Sequence, residues 1–356
     1  MRKVGAALFV IAVGLPSALC AQDIGQIVYI QGSVELVRGE QTLDSGLSIG
    51  DSIQDLDMIR TGDDGQVTIA TTADSGASAT INVNPNTTFT FDLGSIDTPT
   101  VHTLNLMDGT LAMSVAALAS GSVLNVDTGS AVMGIRGTVF DVSSIPSGDV
   151  LLTVNEGKVS CTTDGGKTLY AQPGVIVENM NQSWDNRDIP AASLASFRQT
   201  WRSNRIAFMN EHADEILARA AGNYLRLRSQ LDARYNELMR HRSTIERWLA
   251  NARAGKLSAA ELSRVRRVAG RRLIAAHRSL VAYEHVYYRV KRLETLSHQG
   301  VQFTQAQSGL TASAFFTEVE GDHAGYVEKM RQIRVIVATE RRQLRSAAGP
   351  GRNGRR

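Results

Sequence analysis

From Ile27 to Thr162, apolar and polar residues alternate in short runs, and Gly, Asp, Asn or Pro interrupts them about every ten residues. A period of two is the pattern of a half-buried strand. It predicts strands over 27–30, 33–37, 66–70, 79–83, 88–91, 103–107, 110–115, 122–126, 150–155 and 158–162. Gly50-Asp51, Thr61 to Gly65, Asp74-Ser75-Gly76 and Asn84 to Thr87 supply the turns between them. Turns this close together describe a β-sandwich, barrel or β-solenoid, not alternating β-α units.

The period changes beyond Trp184. Asp188-Ile189-Pro190 is a helix start, with Asp as cap and Pro in the first turn. After Leu194, Phe197 and Trp201 comes a stricter stripe of Leu217, Tyr224, Leu231, Leu238 and Ile245, spaced by sevens. Such a repeat predicts a coiled-coil-like seam against another helix. Gly255 ends that helix, and Ser258-Ala259-Ala260-Glu261 is a capping box that opens the next. Its apolar stripe runs from Leu262 through Leu273, Leu280 and Tyr287 to Val290, and a third helix surrounds Tyr326, Met330, Ile333 and Val337. The expected architecture is therefore an all-β domain followed by a long helical hairpin or three-helix bundle. Its parts are a leader over 1–21, a β domain over 22–183, helices over 184–348 and a disordered basic tail over 349–356.

Charge divides at the same place. From Asp23 to Ser183 there are five Lys/Arg against nineteen Asp/Glu, whereas from Trp184 onward there are thirty-one against sixteen. The overall charge of +3 thus hides two oppositely charged halves. Arg264, Arg266, Arg267, Arg271 and Arg272 make a basic face. Aromatic residues for base stacking are not interleaved with it, so nucleic acid is not expected. A solvated helix face is the default reading, and docking on an anionic envelope surface, or on the acidic half itself, is the sharper alternative.

Arg2 and Lys3, the apolar run from Val4 to Leu15 and the small residues before Ala21 form a secretory signal, with cleavage expected after Ala21. The apolar run is too short to span a bilayer, so no membrane helix is expected in the mature chain. Lipid attachment at Cys20 is the alternative; either route places the chain in the periplasm or outside the cell. Losing Cys20 leaves Cys161 alone, in a strand-like run, where it reads as a small buried hydrophobe. Asp55-Leu56-Asp57 and Asp63-Asp64-Gly65 lack a full oxygen cage for calcium and read as turn residues. His277 and His285 have no carboxylate at ligand spacing and read as surface or seam histidines. No nucleophile elbow or metal motif appears, so no catalytic residue, metal or cofactor is assigned.

The centre of the β half is the stretch from Val126 to Val142, where Gly134 and Gly137 bracket Ile135 and Arg136 between two strand-like ends. A rare arginine at a glycine-flanked bend reads as a structural clamp tied to a carbonyl or carboxylate. This stretch resembles the T-P-x-A-x-x-x-V-R-G-T-x-F-x-V signature of the FecR-domain family. Thr128, Ala131, Ile135, Arg136, Gly137, Thr138, Phe140 and Val142 take its places, with Gly129 standing where the family has Pro. Gly50-Asp51-Ser52-Ile53, Ile59-Arg60-Thr61-Gly62 and Val154 to Val159 extend the resemblance over about 24–178. It implies a strand-rich bacterial envelope domain, in many relatives the periplasmic sensing part of an iron-uptake regulator that controls a sigma factor. The membrane helix and cytoplasmic segment of those regulators are not recognisable here.

Three functions follow in order of expectation. The first is a non-enzymatic envelope protein for recognition or assembly, docking a partner or a second copy through the Leu217–Ile245 seam. The second is a periplasmic sensor of a ligand such as an iron-siderophore complex. The third is an envelope glycan or peptide hydrolase.

Overall fold

The computed structural model describes residues 23–39, 41–43, 46–72, 77–93, 101–256 and 258–348. The leader with Cys20, the Asp74–Gly76 turn and the basic tail lie outside these residues.

The first half is β-rich and the second helical. Eighteen residues over Val101–Leu118 form one strand, β9, where the alternation predicted two. Its first part pairs with β8 (Thr88–Leu93) and, in parallel, with β10 (Val123–Asp127). Its second part pairs with β7 (Ala77–Val83) and β12 (Val139–Ser144). The change of partners falls at Gly109, whose φ is +104° and where a Cβ would lie 2.4 Å from the Thr87 Cα. Only glycine permits that approach, so β9 is shared between two sheets.

One sheet runs outward from β9 through β7, β6 (Gln66–Thr71), β1 (Asp23–Gln31) and β4 (Ser52–Gln54). On its other side it runs through β12, β13 (Val150–Glu156), β16 (Val175–Met180) and β17 (Ser183–Asp188). The other sheet runs through β8, β5 (Met58–Thr61), β2 (Val34–Arg38) and β3 (Gln41–Leu43). Its far side is β10, β11 (Ala131–Ile135), β14 (Val159–Thr163) and β15 (Thr168–Ala171). Both sheets turn their inward residues, among them Ile27, Phe89, Met133 and Phe140, into a single apolar core. The change of composition at Trp184 falls inside β17, so the β half extends to Asp188.

The helical half begins with α1 (Leu194–Glu211), followed by α2 (Ala213–Met239) and its continuation α3 (Arg242–Arg253). Ser258 caps α4 (Ala259–Val265) by accepting a 3.1 Å hydrogen bond from the Glu261 N–H, as its sequence indicates. A π-helical turn over Arg266–Gly270 joins α4 to α5 (Arg271–His298) without a break. A short β18–β19 pair (Gln305–Gln307 and Leu310–Thr311) leads into α6 (Ala312–Ala348). Contacts of Tyr224 with Tyr283 and of Glu237 with Arg272 set α2 antiparallel to α5. Pairs of Arg228 with Asp322 and Tyr235 with Gln332 set α6 parallel to α2.

Leu217, Tyr224, Leu231, Leu238 and Ile245 are all buried in the core that these helices share. The seam is therefore closed within the chain. This corrects the expectation that it receives a partner or second copy: α5 and α6 occupy it already. Among the described residues, no helix is long and apolar enough to cross a membrane.

Candidate recognition site between the two halves

The halves dock on one another, and the reason is in their charges. Arginines of α1, α5 and α6 reach into the acidic half. On α1, Arg198 pairs with Asp141, and Arg205 donates 2.8 Å and 2.9 Å bonds to Asp149 and Asn181. On α5, Arg289 donates to the Thr128 carbonyl at 2.5 Å and to Ser144 Oγ at 3.2 Å. On α6, Arg334 joins Glu284 at 2.8 Å and the Leu56 carbonyl at 3.4 Å. Arg341 joins Asp55 at 3.0 Å and Asp92 at 2.6 Å.

Apolar contacts accompany these bonds. Leu56, held at φ +69°, belongs to the helical core. Ile145, Leu151 and Ile176 of the β half form a small core with Leu194 and Trp201 of α1. A charge buried between unlike surfaces is tolerable only when paired and hydrogen-bonded. Arg198, Arg205, Arg334 and Arg341 each have a carboxylate partner, and Arg289 is held by carbonyl and hydroxyl oxygens alone.

Burial governs the titrating groups at this interface. It pushes the Asp55 carboxyl up, against the pull of Arg341. It pushes Asp92 up as well, but there Arg341 and His277 outweigh it and hold the carboxyl below its ordinary range. Asp108, facing Arg292, Arg202 and Arg289, is raised by burial to about 6. His277 and His285 are both lowered by burial to about 4, although Asp92 and Asp127 stand 3.8 Å and 3.9 Å from them. Both imidazoles are therefore neutral at physiological pH. They were expected at a surface or in the seam; both lie buried on the α5 face turned toward the β half.

Beside these contacts the halves part around a cleft of about 1350 Å³. Its helical wall is one face of α2 (Arg219, Asn223, Arg226) and one face of α5 (Arg278, His285). Its β wall is made of the turns at 127–130, 146–149 and 162–164 and the ends of β16 and β17, including Asn179 and Trp184. Two buried side chains, one in each wall, carry unsatisfied atoms. Neither ring nitrogen of His285 makes a hydrogen bond of normal geometry, and the Oδ1 of Asn179 has no partner. Such groups usually mark a place for water or a ligand. Arg219 and Arg278 make no ion pair among the described residues, and Arg226 bonds only Asn223.

The residues singled out in the sequence are placed differently. Gly134 lies in β11, Phe140 and Thr138 are buried beside it in the core, and Gly137 takes φ +57° in the turn between β11 and β12. Arg136 is exposed on that turn and makes no hydrogen bond or ion pair among the described residues. It does not clamp the bend. Arg38 holds such a place instead, donating 2.9 Å and 2.6 Å bonds to buried Asp57 and a 2.8 Å bond to the Ser52 carbonyl. Cys161 is buried, and burial pushes its thiol up to about 12.

Asp55, Asp57 and Asp92 escaped sequence reasoning because a turn acid and a buried counter-ion look alike there. The signal available was Leu56, an apolar residue between two turn acids. Gly129, standing where the FecR signature has Pro, is the other departure with a structural cause. Its φ is +73°, which proline cannot adopt, and a Cβ there would sit 2.9 Å from the His285 ring. The turn is open at that point because α5 lies against it.

Among the described residues no group of three or more His, Cys, Asp or Glu is arranged to hold a metal. Two crystal structures of a "putative anti-sigma factor" from Parabacteroides distasonis are similar at 14% identity and a TM-score of 0.34. The match covers 40% of this chain and 64% of that one. No curated protein matches the chain. The family described as FecR protein matches residues 57–160, from the end of the Asp55–Asp57 turn to the start of β14. Residues 57–160, within the β half, thus match a FecR domain.

Proposed function

We propose that this chain is a non-enzymatic FecR-type sensor of the cell envelope, exported by its leader, which recognises its ligand in the cleft between its halves. The observation that carries this reading is the shared construction of the cleft. FecR-domain turns form one wall and α2 and α5 the other, with His285 and Asn179 unsatisfied between them. A ligand there touches both halves at once. A ligand that fits one arrangement of the halves better than another shifts their docking toward it, which is what a sensor requires. We also read the two β sheets as a sandwich and α2–α5 as the helical hairpin that presents the second wall. Assembly through the Leu217–Ile245 seam is not retained, since that seam is filled.

Thermal melting of the full mature chain, with envelope glycan, envelope peptide and ferric-siderophore fractions added in turn, tests the reading. One fraction is expected to raise the melting temperature of the wild type. It should not do so for Val132→Trp, which places a bulky side chain on an exposed cleft residue. The reading fails if no fraction shifts the wild type, or if Val132→Trp responds equally.

A further inference from the structure

We propose that the cleft binds an acidic oligosaccharide, with its carboxylates on Arg219, Arg226 and Arg278 and its hydroxyls on the side chains of the β wall. This rests on the cleft being the recognition site. Arg219 and Arg226 are seven residues apart on α2, hence on one face, and Arg278 faces the same space from α5. Planar guanidinium groups lacking carboxylate partners are suited to bidentate capture of a carboxylate.

The opposite wall is not cationic. Asp127 and Asp164 there would repel a continuous phosphate chain, yet both can accept hydrogen bonds from sugar hydroxyls. The unsatisfied Asn179 Oδ1 accepts a hydroxyl proton, and neutral His285, whose ring N–H is directed at the Leu106 carbonyl, keeps one nitrogen as an acceptor for a second hydroxyl. Half-buried Trp184 supplies an apolar face at the cleft wall, against which a sugar ring can lie.

Two other occupants fit less well. An isolated inorganic anion does not fill a space larger than the roughly 300–1,000 Å³ of an ordinary small-molecule pocket. An extended peptide is commonly held by adding to an open sheet edge. Of the described strands that reach the cleft, β10, β11, β14 and β16 are each already paired on both sides, and only β17, paired with β16 alone, leaves an edge open.

The test is isothermal titration of the full mature chain with three probes of equal length: oligogalacturonate, neutral malto-oligosaccharide and oligoglutamate. Oligogalacturonate is expected to bind at least tenfold more tightly than either of the others. Arg226→Gln and Arg278→Gln, at exposed positions, should each weaken it at least fivefold while leaving the melting temperature of the free protein unchanged. Absence of oligogalacturonate binding, equal affinity for the neutral sugar, or tighter binding of oligoglutamate overturns the proposal. The cleft reading fails separately if Val132→Trp binds oligogalacturonate as well as the wild type. It survives the loss of this ligand class if an envelope fraction still raises the melting temperature of the wild type and not of Val132→Trp.

Discussion

One guanidinium nitrogen of Arg341 lies 3.0 Å from both carboxylate oxygens of Asp55, a residue 286 positions earlier in the chain. The same side chain binds Asp92 through its other terminal nitrogen at 2.6 Å. Neither member of the Arg341–Asp55 pair reaches solvent appreciably, so removing one strands the other. Arg341→Leu is expected to lower stability by about 3–5 kcal/mol, read from urea unfolding at neutral pH. A loss below about 1 kcal/mol would show that the halves do not depend on this pair.

Arg38 and Arg136 give a contrast within the β half. Arg38→Ala abandons the buried Asp57 carboxylate and should cost about 2–4 kcal/mol. Arg136→Ala removes an exposed side chain and should change stability by less than about 0.5 kcal/mol. Chemical denaturation of both variants decides which arginine secures this domain; a reversed order would restore the clamp at Arg136.

Substitution at Gly129 is expected to disturb the docking of α5. Gly129→Ala combines an unfavourable positive φ with a clash against His285, for about 1–3 kcal/mol. Gly129→Pro, which brings the residue into line with the FecR signature, should be worse because its ring fixes φ near −65°. Melting temperatures of the two variants test the order; a stabilised Gly129→Pro would refute it.

The pH dependence carries opposite signs at neighbouring groups. His277 and His285, lowered to about 4 by burial, contribute stability that is present above about pH 6.5 and lost as pH falls toward 4. Asp108, raised to about 6, contributes stability below the ordinary carboxylate range, and this is lost as pH rises through 6. Relative to the wild type, His285→Gln should therefore lose less stability between pH 7.5 and pH 5. Asp108→Asn should lose more. Urea midpoints at the two pH values check both signs.

The filled seam makes a prediction about assembly. Leu231→Ala should cost about 2–5 kcal/mol through the cavity it leaves, without altering the mass measured by light scattering in native buffer. A drop in oligomer mass would return the seam to an intermolecular role.

What the sequence revealed follows the range of the interactions involved. Periods of two and seven are local, so the change from strand to helix and the burial of Leu217, Tyr224 and Leu231 were legible. The capping box at Ser258 was legible for the same reason. The pairing of β9 with four strands was not, because it depends on a bend at Gly109 that the alternation on either side conceals. The opposite charges of the halves were plain from composition. Which acids meet which arginines was not, because those partners lie up to 286 residues apart. The cleft was invisible in outline: His285 read as a surface or seam residue, and no local pattern singled out Arg219 or Arg226.

The position of Arg341 near the end of α6 bears on how this molecule is made. Synthesis delivers the amino-terminal strands first, with Asp55 and Asp92 destined for an interior that does not yet exist. Until α6 emerges, those carboxylates lack Arg341 and are better left hydrated. Closure of their flank of the β half thus waits for α6, because Arg341 is the guanidinium that Asp55 and Asp92 share.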